Sequence, residues 1–145
     1  MHDKNPDVSA LNMIYQNAKT AIDSIDCVIP KVKNINLKRD LASQMLGYHN
    51  LVKSSSAQLH AINQQPQDTN ILTKIPATAS MYIKSAVDGS ESHIAEMMIE
   101  NATSGLIALQ RNFNQNPELT HEVCEIGNKA ICFEQVNIDK LRNYL

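Results

Sequence analysis

Apolar residues along this chain recur at intervals of three and four, and that spacing divides it into four long amphipathic segments. The first opens at Asn5-Pro6-Asp7, an Asn cap followed by Pro at the first helical position and a carboxylate in the first turn. It carries Leu11, Ile14, Ala18, Ile22, Ile25 and Ile29 on one face, and Pro30 should end or kink it near Val28. The second is expected from Leu37, behind an Asn36 cap, to about Asn63, with Leu41, Met45, Tyr48, Val52, Leu59 and Ile62 inward and Gln44 and His49 flanking. Ser55 takes a core position, where its hydroxyl can bond back to its own helix.

The third segment, Ser92 to Phe113, has its stripe at Ile94, Met98, Ala102, Gly105 and Leu109, with His93, Glu96 and Glu100 along the flank. A repeat of the Asn-Pro-acid signal, Asn116-Pro117-Glu118, is expected to start the fourth, which carries Leu119, Val123, Ile126, Ala130, Phe133 and Leu141 to the C-terminus. Residues 64 to 91 are long enough to travel the length of a bundle and include a short helical pattern, Ala77 to Val87, after Pro76. No strand pattern competes. The expectation is one domain over residues 1 to 145, an all-α antiparallel four-helix bundle with a long crossover containing a short helix between helices two and three.

Composition agrees with helix: 43% hydrophobic residues, four Gly, five Pro and no Trp. At 145 residues the chain can bury a core without a disulfide or metal. Lys and Arg are scattered and the net charge is −2, so no nucleic-acid footprint emerges. No apolar run is long enough to span a bilayer, and the first ten residues lack the order of a signal peptide, so a cytoplasmic protein is expected. Cys27, Cys124 and Cys132 are an odd set without close spacing, expected as buried thiols in no disulfide.

Motifs for familiar chemistry are missing. The glycines Gly47, Gly89, Gly105 and Gly127 build no phosphate loop. Ser54, Ser55 and Ser56 have only His60 near them as a base, and Met97 and Met98 sit at the spacing of core filler. Laying Met13 to Ile25 over Met97 to Leu109 aligns Asn17 with Asn101, Gln16 with Glu100 and Ala21 with Gly105, a weak internal repeat. One residue further along, Tyr48-His49 falls on Phe133-Glu134.

Two related helical hairpins joined by a crossover resemble the ferritin-like, or rubrerythrin-like, bundles, a resemblance that covers the whole chain as architecture and only a few residues as motif. Such proteins carry a carboxylate on the first and third helices and Glu-x-x-His on the second and fourth, aimed at two metal ions. Carried over by position, Gln16 and Glu100 fill the first and third sites. The second helix keeps His49 but has Leu46 where Glu belongs; on an alternative alignment His49 takes the Glu position and Val52 the His position. The fourth keeps Glu134 and replaces His by Asn137. Neutral carbonyls from Gln and Asn cannot neutralise paired cations, so the two-metal motif is degenerate.

The resemblance therefore implies a ferritin-like bundle without enzymatic activity or cofactor, acting by self-association, as a dimer, or through a protein partner. The alternative is residual binding of iron or another divalent metal by Glu100, Glu134 and His49, with His93, Glu96, Gln16 and Asn137 as further candidates and oxidase or peroxidase chemistry attached. A third reading is a bundle that holds a ligand.

Overall fold

The computed structural model describes residues 5–68 and 90–145, and among these the secondary structure is helical throughout, with no strand. Helix α1 spans Pro6–Val28, α2 Ile35–Ala61, α3 Glu91–Gln115 and α4 His121–Leu141. The expected short helix at Ala77 to Val87 lies outside the described residues. No helix among the described residues is long and apolar enough to cross a membrane.

Local chemistry sets most of the ends. Asn5 caps α1 as expected, its Oδ1 accepting from the Asp7 N–H at 2.9 Å. The freed Asp7 carboxylate accepts from the Thr120 N–H at 3.1 Å and ties the start of α1 to the start of α4. Pro30 falls in a single 3-10 turn, Ile29–Lys31, after which the chain reverses. The cap of α2 is Asn34 and not Asn36, because Asn34 Oδ1 accepts from both the Asn36 and Leu37 N–H groups and starts the helix earlier. Helix α2 closes at Asn63, whose φ of 61° is one that Asn tolerates better than most residues.

The second Asn-Pro-acid signal does not start a helix. Asn116 instead finishes α3, its Nδ2 donating to the Asn112 carbonyl at 2.7 Å, and its own carbonyl accepts from the Leu119 N–H. With that side chain spent backwards, Pro117 and Glu118 form a turn and α4 begins after Thr120.

The inward stripes meet in three apolar groups. One holds Ile25, Val28, Leu37, Leu41, Ile94 and Leu141; a second, at the other end, holds Ala10, Leu11, Leu59, Leu119 and Val123; Ile14, Leu109, Ala130 and Ile131 lie between. Ser55 is fully buried and donates back to the Leu51 carbonyl at 2.7 Å. The cysteines depart from expectation: Cys27 and Cys132 are exposed and Cys124 half-buried, since Ile25 and Val28, and Ala130 and Ile131, take the neighbouring inward positions.

Candidate functional site

Buried polar residues interrupt the core at one level of the bundle. Helix α2 places Gln44 and Tyr48 one turn apart on the stripe that also carries Leu37 and Leu41, so both point inward. Helix α4 does the same with Glu134 and Asn137, three apart and between Ala130 and Leu141. Gln44, Tyr48 and Glu134 are each 4% exposed.

These groups form a chain of hydrogen bonds across the two helices. Asn137 Nδ2 donates to the Tyr48 hydroxyl at 3.4 Å, and that hydroxyl donates in a short contact to Glu134 Oε1. The Tyr48 ring is held edge-on to Phe133, centroids 4.9 Å apart. Burial pushes the Glu134 carboxyl up to about 7, the Tyr48 hydrogen bond partly offsetting the rise. Burial and the adjacent carboxylate raise Tyr48 far above the usual phenol range, so it remains the donor.

Beside this chain lies a cavity of roughly 330 Å³, walled by all four helices. Helix α1 contributes Asn17, Thr20 and Ser24, and α3 contributes Met98, Ala102 and Gly105. Helices α1 and α3 are joined at Gly105, whose carbonyl accepts from the Asn17 side-chain Nδ2 at 3.3 Å. A Cβ built on Gly105 would stand 3.3 Å from Glu134 Oε2, so that oxygen faces α3 across the space a side chain would take. Two polar atoms at the cavity residues have no hydrogen-bond partner, Gln44 Nε2 and Thr20 Oγ1. Among the described residues that line it there is no Lys, Arg or His, and Glu134 is the carboxylate.

The residues expected to hold metal are not gathered together. Among the described residues no group of three or more His, Cys, Asp or Glu stands close enough to hold an ion. His49 is exposed because its neighbour Tyr48 takes the inward position; Glu100 is exposed because Met97, Met98 and Ala102 take theirs. His93 Nδ1 lies 3.8 Å from Glu96 Oε1 at the surface, and Gln16 Nε2 donates to the Gln67 carbonyl at 2.8 Å. Of the seven candidates, Glu134 and Asn137 share one buried network, and it runs through Tyr48. Gln44 passed for a flanking residue and Tyr48 for apolar filler in the sequence; the readable sign was two polar residues, Glu134 and Asn137, at inward spacing with Ala130 and Leu141.

Comparison with models of known protein families, with curated proteins and with solved structures finds no match to this chain.

Proposed function

We propose that this chain is a binding protein, a helical bundle of ferritin-like helix order that holds a small organic molecule in the cavity between its helices. Three contacts support the helix order. The start of α1 meets the start of α4 at Asp7 and Thr120, the start of α2 meets the start of α3 where Asn34 Nδ2 donates to Glu91 at 2.8 Å, and the Tyr144 hydroxyl, just past α4, donates to Asp40 near the start of α2 at 2.6 Å. In that order α1 is antiparallel to α2 and α3 to α4.

The observation that carries the ligand reading is Gln44, a residue 96% withdrawn from solvent that lines the cavity and whose Nε2 finds no hydrogen-bond partner among the described residues. A buried donor left unmade costs about 1–3 kcal/mol, and a molecule supplying an acceptor would recover it. The volume lies at the lower end of the range usual for ligand pockets, and walls of Met98, Ala102 and Leu141 around a few polar groups follow the usual composition. The test is an NMR titration with a fragment set, watching the Met98 and Ala102 methyls. Fragments should move them, and Gly105→Leu, which fills the space, should abolish the effect; methyls that stay fixed throughout the set overturn the reading.

Self-association is a second reading, favoured by a separate observation. Ile35, Leu46, Ile107 and Val136 are large apolar residues with roughly half or more of their surface in water. Sedimentation of the wild type should show a dimer that Leu46→Glu weakens; a monomer at every concentration removes this reading and leaves the cavity reading intact.

A further inference from the structure

We infer that the cavity takes a small organic ammonium that also carries a hydroxyl, ether or carbonyl oxygen, its nitrogen on Glu134 Oε2 and its oxygen on Gln44 Nε2. This rests on the reading that the cavity holds a small molecule, and adds which one by chemical class.

Charge is the first ground. Among the described residues the lining supplies one carboxylate and no cationic side chain, so once Glu134 is ionised the field they set inside the cavity is negative. A carboxylate-bearing ligand would meet repulsion there, and a neutral one would leave the charge unmatched. Geometry is the second. Tyr48 serves Oε1, while Oε2 turns toward α3 at Gly105, where the absence of a side chain keeps the approach to it open. A glycine inside a helix costs about 1 kcal/mol against alanine, and here a Cβ would come 3.3 Å from Oε2 and 3.4 Å from Asn17 Nδ2, narrowing that approach.

Hydrogen-bond polarity is the third. Gln44 Nε2 can only donate, so its partner on the ligand must be an acceptor, and Thr20 Oγ1 accommodates either role. Between these polar points the walls are Ala21, Met98, Ala102 and Leu141, which suit a hydrocarbon body and not a bare hydrated ion. Met98 adds a polarisable thioether to that wall. The occupant that satisfies all three grounds has a cationic donor, an acceptor and an apolar middle.

The test is calorimetric titration of the full chain at pH about 8, where the Glu134 carboxyl is ionised, with two amines, tyramine and methoxyethylamine. Para-ethylphenol keeps the tyramine ring and drops the ammonium, and para-hydroxyphenylacetate replaces the ammonium by a carboxylate. One or both amines should bind, at least about tenfold more tightly than either isostere, and Glu134→Gln should lose that margin. On the wild type, amine binding should shift the Met98 and Ala102 methyl resonances; binding that moves only surface resonances overturns the site.

Para-ethylphenol binding as tightly as tyramine, or amine affinity unchanged in Glu134→Gln, overturns the ammonium and leaves the cavity reading standing if Gly105→Leu still blocks it. If none of the four compounds binds or moves those methyls, the ammonium inference falls, and the fragment titration separately decides whether the cavity reading falls with it. Should Glu134→Gln fail to fold, the amine-against-isostere comparison on the wild type still decides.

Discussion

In the unfolded chain the Glu134 carboxyl ionises at its ordinary value of 4.5, and in the folded chain burial moves that to about 7. Between those two points the folded protein keeps a proton that the unfolded chain has released. The contribution is therefore fully present below about 4.5 and is lost as pH rises through about 7. The whole interval is worth roughly 3 kcal/mol. The midpoint of urea unfolding should fall between pH about 5 and about 8, and Glu134→Gln, which keeps an acceptor for Tyr48 but never ionises, should flatten the fall. An equal fall in the variant would mean that other groups set the slope. Tyr48→Phe removes the donor that holds Oε1, so its cost, about 1–3 kcal/mol, should be larger at pH about 8, where the carboxylate it abandons is charged. A variant equally stable at both pH values relative to wild type would show that the hydroxyl does not support the ionised form.

At the scale of helices, two contacts depend on a missing side chain. A Cβ on Gly47 would lie 2.2 Å from the Phe133 ring, and one on Gly127 would lie 1.9 Å from Phe113, so in both places an aromatic ring occupies the groove that the glycine opens. Gly47→Ala gains about 1 kcal/mol of helix propensity but must displace a ring held edge-on to Tyr48, an overpacking cost of about 1–3 kcal/mol, and the sum should be destabilising. In a Phe133→Ala background the obstacle is gone and the same change should become neutral or stabilising; a penalty that persists there would place the strain elsewhere.

The amphipathic stripes were legible in the sequence because burial of Leu11, Ile14, Leu41, Ile94 and Val123 at helical spacing needs no knowledge of the partner helix. The Asn5-Pro6 start was equally legible, while the identical signal at Asn116 was not, because which way an Asn side chain bonds depends on the helix before it. The site was half legible: Glu134 and Asn137 stand out on their own helix, but their partner Tyr48 comes from α2 and reads as filler until the helices are brought together. Gly105 reads in the sequence as one more position of the α3 stripe, and its use as an opening toward Glu134 depends on α4 lying across from it.

For the whole molecule the question is how much positive charge its interior can take. Two hard cations side by side bring four charges into a low-dielectric space, and the desolvation they suffer is offset only by several ionised carboxylates around them. Among the described residues the polar ones withdrawn from water are Asn12, Ser24, Gln44, Ser55, Glu134 and Asn137, a set with one carboxylate, while Glu100, Glu96 and His49 remain at the surface. Bringing Glu100 and His49 inward would require α3 and α2 each to rotate and expose Met98, Ala102 and Tyr48, surrendering apolar burial on two helices at once. A single organic ammonium needs one compensating charge and no rotation. Protein loaded with excess ferrous iron or zinc and then desalted should accordingly hold well under one ion per chain by elemental analysis, and its unfolding temperature should not rise with either metal. Stoichiometric metal that disappears in a Glu100→Ala, Glu134→Ala double variant would show that the helices do rotate, and would return the bundle to metal chemistry.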